Sequence, residues 1–352
     1  MKIALFLPNW IGDAVMATPA IRAVREHFAD AFLIAVYKPY IAGVFEGCPW
    51  FDAVVHLDKK GPYSARWWSA AVKLRRFRPE LALLFPNSFR SAWVAWLAGC
   101  RRRIGFARYG RSPLLTDALE PIRDERGQLK PSPIIQAYNQ LAEHAGCPKA
   151  SYRMELFTTP ASEVAADLVW RRAELDRCPA VVCMNPGAAF GAAKFWPMDY
   201  WVELSRMIAD RLHCGVLVLC GPNEQRLSRE IAGRACHPLV HSLAGAPLSI
   251  GLTKACIRRC DLLITTDSGP RHFAAAFDRP VVTLFGPTHI EWTETFYPKA
   301  IHLQKKVDCG PCQLRVCPFD HRCMKLLVPD DVFHAAWMLL HDGLRRKERK
   351  TG

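Results

Sequence analysis

The sequence predicts an α/β protein of two Rossmann-like, doubly wound domains facing an interdomain cleft. Three observations predict it. Short apolar runs of strand length alternate with longer amphipathic runs, the rhythm of a parallel sheet covered by helices. The rhythm stops in residues 148–162, which carry Pro148, Pro160 and Thr158-Thr159, and then restarts. The length of 352 residues also suits two domains of ~100–200 residues.

The elements follow in order. Residues 3–8 read as the first strand, followed by the turn 9–13. A helix then runs to residue 28, with Val15, Ile21, Val24 and Phe28 on one side. Pro19 falls inside it, so either Thr18 caps a fresh helix or the helix kinks. Residues 32–37, 53–57 and 81–85 are the next strands, with a helix at 64–77. Residues 121–133 form a polar loop and 133–145 a helix. In the second half, strands are expected at 180–185, 216–220, 262–266 and 280–285. Helices are expected at 198–212, 224–235, 249–258, 270–277 and 329–344, before a basic tail at 345–350. The domain division is 1–160 and 161–330, with 331–352 as a terminal helix and tail.

Composition is that of an ordinary globular protein, with 50% hydrophobic and 23% charged residues. No apolar run reaches the ~18 residues of a membrane span. Pro8 interrupts the first apolar run too soon for a signal peptide, so a cytoplasmic location is expected. The net charge is +14, of which +9 lies in residues 1–160. That balance fits an acidic substrate or an anionic membrane face, and no nucleic-acid-binding signature accompanies it. Many of the 14 cysteines sit in apolar, strand-like contexts (Cys183, Cys214, Cys220) and are expected to be reduced and buried.

Ligands of doubly wound sheets lie beyond the carboxyl ends of the strands, so the turns there carry the functional candidates. Asn9-Trp10-Ile11-Gly12-Asp13 follows the first strand. Gly12 allows a tight turn. Asp13 either caps a helix or takes a proton from an attacking hydroxyl. Pro186-Gly187 through Lys194-Phe195-Trp196-Pro197 is a small-residue loop that lets backbone approach a ligand. Its Lys194 can neutralise a departing diphosphate, and no cofactor is called for. Glu224, after the strand at 216–220, either accepts hydrogen bonds from a ribose or complements a helix dipole. Asp267-Ser268-Gly269 precedes Pro270 at a helix start. Ser268 or Gly269 can cap that helix, and its free amides suit a diphosphate, with Arg271 and His272 as further donors.

These turns together resemble the ADP-heptose:lipopolysaccharide heptosyltransferases, glycosyltransferase family 9. Arg279-Pro280, Leu284-Phe285-Gly286-Pro287-Thr288 and the late run Cys309-Gly310-Pro311-Cys312 to Cys317-Pro318 and His321-Arg322-Cys323 fit in the same order. The Lys194 loop and the cysteine run are most similar to the heptosyltransferase II branch. The resemblance implies a GT-B fold and metal-independent, inverting transfer from ADP-L-glycero-β-D-manno-heptose. The acceptor it implies is the lipopolysaccharide inner core or lipid A-Kdo, at the cytoplasmic face of the inner membrane. It also implies Asp13 as base, Lys194 on the diphosphate, Glu224 on the ribose and Asp267 near the heptose. Gly12, Ser268, Gly269 and His272 complete the binding set. Ala189 stands where that branch commonly has an acidic residue, and Arg271 where a small or apolar one is usual. Both flank the donor site.

Two further features stand apart. Cys309, Cys312, Cys317 and Cys323, with His321, offer enough ligands for a structural zinc, but not at the spacing of a standard finger. A thiol-rich structural loop is the expectation. Arg66-Trp67-Trp68 through Arg78, with Arg101-Arg102-Arg103, mixes cations with aromatics. It reads either as a peripheral contact with an anionic membrane or as a helix packed by its tryptophans. The rival functions are a related family 9 transferase with another acceptor or nucleotide sugar, and a nucleotide-sugar-binding protein without turnover.

Overall fold

The computed structural model describes residues 1–57 and 63–351, without side-chain detail for residues 63–66 and 342–351. The chain divides into two compact units. One is Met1–Phe157 with Glu291–Phe296, and the other Thr158–Ile290 with Tyr297–Gly352.

The first unit holds β1 (Lys2–Phe6), β2 (Phe32–Tyr37), β3 (Ala53–His56), β4 (Leu81–Leu84), β5 (Arg102–Phe106) and β6 (Asp117–Leu119). They pair in the order β3-β2-β1-β4-β5-β6, all parallel. The second unit holds β7 (Val181–Asn185), β8 (Gly215–Val218), β9 (Val240–Ser242), β10 (Leu262–Thr266), β11 (Val281–Phe285) and β12 (Ala300–Gln304). Their order is β12-β11-β10-β7-β8-β9, again all parallel. Counted within its own unit, each sheet runs 3-2-1-4-5-6, the order of doubly wound nucleotide-binding sheets. The order reverses between β1 and β4 in one sheet and between β7 and β10 in the other. The turns after those strands flank the crevice where such folds bind ligands.

The central strands are apolar almost without interruption because helices cover both faces. Every residue of β4, β7, β10 and β11 is buried. The strands missing from the sequence reading are the atypical ones. β5 begins with two arginines, β6 and β9 have three residues each, and β12 is only half-buried throughout. The helices Phe89–Leu97 and Pro160–Arg172 were also not expected. Each is capped in the usual way, by Ser88 accepting from the Ser91 amide and by Thr159 accepting from that of Ser162. The second of them takes up the end of the stretch read as a linker.

At Pro19 the chain does something between the two alternatives. One helix, Ile11–Met16, ends and another, Thr18–His27, begins across Ala17. Thr18 is the first helical residue rather than a cap. Its hydroxyl donates to the Val15 carbonyl and accepts from the Glu155 amide. The last helix is longer than expected, Pro329–Thr351, and takes in the backbone of the basic tail. The side chains of that tail lie outside the described residues. Val332, Ala335, Ala336 and Leu340 of this helix pack into the core of the second unit. Among the described residues no helix is long and apolar enough to cross a membrane.

Candidate active site

In the second unit, register brings two turns together. Thr265 of β10 pairs with Asn185 of β7, so the chain leaves both strands side by side. Asn185 locks the two turns. Its side-chain amide donates to the Gly187 carbonyl and to the hydroxyls of Thr265 and Ser268 at 3.0–3.3 Å. The Thr266 hydroxyl also donates to the Gly187 carbonyl, at 2.8 Å. Ser268 is therefore engaged with Asn185 and does not cap the helix Pro270–Ala276. Gly269 holds the cap position, with helical dihedrals and no side-chain bond. Pro270 brings no amide hydrogen, and the amides of Arg271 and His272 donate to the Ser268 and Gly269 carbonyls. The helix start thus offers an anion fewer donors than its sequence implied.

The charge at this site comes from side chains. Lys194 and Asp267 are both buried, with Nζ 2.5 Å from Oδ2 and 2.9 Å from the Asp267 carbonyl oxygen. The Thr288 hydroxyl donates to the same Oδ2 at 2.8 Å, and Arg271 Nη1 stands 3.4 Å from Oδ1. Burial pushes the Asp267 carboxyl up. The charges of Lys194 and Arg271 and the bonds from Lys194 and Thr288 outweigh it and hold the group down at about 2. Burial, reinforced by Arg271, pushes the His272 ring well below its ordinary range, so it is neutral at pH 7. The aromatic contact of Lys194 is with Phe190, 4.8 Å from ammonium to ring centre. Of the two aromatics after Lys194, Phe195 is exposed and Trp196 donates to the Leu327 carbonyl.

The Lys194 loop is held from below by the cysteine run. The Ala193 amide donates to the Arg315 carbonyl, and His321 Nε2 lies 2.7 Å from the Ala193 carbonyl oxygen. A Cβ on Gly191 would lie 2.4 Å from the Arg315 carbonyl oxygen, so only glycine permits this approach. Cys309, Cys312, Cys317 and Cys323 line one small pocket with His321. Among the described residues, no group of three or more His, Cys, Asp or Glu is arranged to hold a metal ion. Through Arg315 and His321 the run buttresses the Lys194 loop. The strand cysteines are buried, and burial pushes up the thiols of Cys183, Cys214 and Cys220.

Glu224 stands one place ahead of the first helical turn in which a dipole-complementing acid was expected. It occupies the cap position of the helix Gln225–Ala235 and its carboxylate accepts from the Gly221 amide at 2.9 Å. The same carboxylate fills the space beside Gly187, where a Cβ would lie 2.0 Å from Oε1. It thus borders the β7 turn. Ala189 is exposed on that turn.

In the first unit the turn after β1 lies beside the turn after β4. Together they line a hollow of about 470 Å³, to which Asn9, Trp10 and Asp13 contribute from one turn and Asn87, Ser88 and Arg90 from the other. Trp10, not Asp13, holds the cap position of Ile11–Met16, and Asp13 lies in the first helical turn. Burial and the Asp13 charge together push up the phenols of Tyr40 and Tyr138. Gly12 is partly buried in the same turn.

The sequence reading missed Arg111. It is completely buried and fixes the β4 turn, donating from Nη1 to the Pro86 carbonyl, from Nη2 to Asn87 Oδ1 at 3.0 Å and from Nε to the Phe106 carbonyl at 2.8 Å. Burial and the charge of Arg108 lower its guanidinium to about 10. Nothing in Gly110-Arg111-Ser112 signals that role, because Pro86 and Asn87, which it fixes, lie 25 and 24 residues back in the sequence. The basic aromatic stretch divides. Trp67 packs against the core with Arg90 stacked 5.7 Å over its ring, while Trp68 is 57% exposed. Arg66 falls outside the described side chains. Arg102 is bound to Asp117 and Arg103 to the Leu114 carbonyl, so two of the three arginines there serve the fold.

The profile described as "Glycosyltransferase family 9 (heptosyltransferase)" matches residues 67–322. The chain belongs to glycosyltransferase family 9. Among its relatives is the lipooligosaccharide heptosyltransferase 2 of Campylobacter jejuni, 28% identical over 349 residues, covering 97% of this chain and 98% of the relative. Among solved structures, the glycosyl transferase family 9 protein of Veillonella parvula superposes with a TM-score of 0.81 at 19% identity, over 97% of each chain. The ADP-heptose lipopolysaccharide heptosyltransferase II of Escherichia coli superposes with a TM-score of 0.76 at 23% identity, over 97% of this chain and 99% of that one. The family 9 fold is therefore the GT-B arrangement of two Rossmann-like sheets. As a member, the chain is a glycosyltransferase.

Proposed function

We propose that the chain transfers heptose from ADP-L-glycero-β-D-manno-heptose to the inner core of lipopolysaccharide, with inversion at the anomeric carbon. The observation that carries this reading is the buried Lys194 ammonium beside the β7 and β10 turns, in a family 9 chain that matches a heptosyltransferase 2 along nearly its whole length. Inverting transfer needs a base for the acceptor hydroxyl and a cation for the leaving diphosphate. Asp13, beside the hollow of the first unit, serves as the base. Lys194 serves the diphosphate, and Glu224, at the edge of the same turn, serves the ribose. Gly12 beside Asp13 in the first unit, and Ala189, Ser268, Gly269 and His272 on the turns and helix start of the second, complete the binding residues of this reading.

Donor profiling of the purified protein tests the assignment. ADP-heptose is expected to support transfer to a heptose-deficient core, and other nucleotide sugars are not. Use of a different donor with no use of ADP-heptose would leave the family standing and remove the substrate.

A membrane contact belongs to the same reading. Trp68 and Trp96 are exposed on the packed helices Tyr63–Arg75 and Phe89–Leu97, which also carry Arg75 and Arg90. Such a mix suits the anionic cytoplasmic face of the inner membrane, where the acceptor is made. Vesicles containing anionic lipid should retain the protein more strongly than neutral ones, and Trp68→Ala should reduce the difference. Equal retention by both vesicles ends the idea.

A further inference from the structure

Arg271, offered by the sequence only as a further donor to a diphosphate, has no task in the proposed transfer. Yet it is 3% exposed, and a buried guanidinium is costly unless it serves a partner. It reaches Asp267 Oδ1 at 3.4 Å, lies 4.9 Å over the Phe285 ring and places Nη2 3.2 Å from His302 Nε2. Lys194 and Thr288 meanwhile hold the other carboxylate oxygen. Each oxygen of Asp267 therefore faces its own cation.

The two cations differ in freedom. Lys194 ends a small-residue loop and carries its charge on a flexible four-carbon stem. Arg271 belongs to the helix Pro270–Ala276 and is wedged between Phe285 of β11 and His302 of β12. A diphosphate that recruits the Lys194 ammonium draws it from Asp267. A buried carboxylate left without a cation would then oppose donor binding. We propose that Arg271 is a positioning residue that keeps Asp267 ionised and in place while Lys194 exchanges that carboxylate for the donor's diphosphate. The inference rests on the reading of Lys194 as the diphosphate ligand.

The groups facing Asp267 are Lys194 from the loop after β7, Arg271 and His272 from the helix after β10, and Thr288 from beyond β11. His302 of β12 acts on it through Arg271. His272 is neutral at pH 7, so it cannot replace the missing charge. An Asp267 carboxyl stripped of both cations has its affinity for protons raised. Donor binding would then take up a proton and weaken as pH rises.

ADP alone is the probe, because it brings the diphosphate without the sugar. Its binding to the full chain is measured by titration calorimetry between pH 6.5 and 8.5, in buffers of different ionisation heat, always relative to wild type so that titration of ADP cancels. Arg271→Met should bind ADP about tenfold more weakly at the upper end, one pKa unit's worth. The deficit should shrink as pH falls and be accompanied by an extra proton taken up. Arg271→Lys should restore wild-type pH behaviour. In an Asp267→Asn background there is no carboxylate to strand, so adding Arg271→Met should leave ADP affinity unchanged. That comparison holds even where Arg271→Met alone does not fold. A merely structural arginine would instead give a pH-independent loss, no extra proton, and the same loss in the Asp267→Asn background; any of these overturns the proposal. Lys194→Met separates the two levels. Unchanged ADP affinity there sinks the diphosphate reading itself, whereas lowered affinity with a flat Arg271→Met pH response sinks only the role given to Arg271.

Discussion

The two sheets share one strand order, yet their reversal points are furnished differently. Beside β1 and β4 the turns open into a hollow of about 470 Å³ with Asp13 on its wall, and the fixing cation, Arg111, is buried behind the turn and bonded to carbonyls and an amide. Beside β7 and β10 the cations are in the site itself, closed on a buried carboxylate. The topology decides where a ligand can sit, and the side chains after the strands decide what is done to it. In the proposed reading, one reversal point takes the hydroxyl that must lose a proton and the other holds the anion.

That contrast can be broken by mutation. Asp13→Ala should lower kcat by roughly 10²–10⁴-fold, the usual worth of a general base. ADP binding should survive it, and a parallel loss of ADP affinity would erase the division of labour. Lys194→Met should cost roughly 10²–10³-fold in kcat/KM, with much of the loss visible as weaker ADP binding. Unchanged kinetics would remove Lys194 from the donor side. Arg111→Met should lower unfolding stability by about 2–3 kcal/mol, since charge-assisted bonds to the β4 turn are lost. Urea denaturation reads this directly, and an unaltered midpoint would mean that the turn holds itself.

The smallest expected effect sharpens the contrast by pH. Asp267 is held at about 2, below its unfolded value near ~3.9. A depressed carboxyl stabilises the fold above its unfolded pKa, and that contribution is lost as pH falls through the folded one. Between pH 5 and pH 2, wild type should therefore lose about 2 kcal/mol more than Asp267→Asn. Equal losses in the two proteins would mean that the carboxylate is not held by its cations.

Much of this was legible in the sequence because it depends on near neighbours. The apolar runs of β1, β4, β7 and β10 announce buried parallel strands, and the turns carrying Asp13, Lys194 and Asp267 follow them directly. The strands that escaped notice, β5, β6, β9 and β12, are short, half-buried or begin with arginines, so their pattern does not differ from a loop. The Arg101-Arg102-Arg103 run likewise looked like a surface patch. Arg102 and Arg103 turn out to fasten β5 to its neighbours, a use of charge that requires Asp117 and the Leu114 carbonyl to be brought near.

The sequence by itself determined two doubly wound sheets and which residues follow their central strands. Only the tertiary structure decided which groups meet. Lys194 and Asp267 are separated by 73 residues and become partners because β7 and β10 pair in register, Asn185 against Thr265. Arg111 reaches Asn87 across 24 residues in the same way, once β4 and β5 lie side by side. A local pattern records which face of a strand is buried. It does not record which other turn will end beside it, since that is set by parallel register between strands distant in the chain.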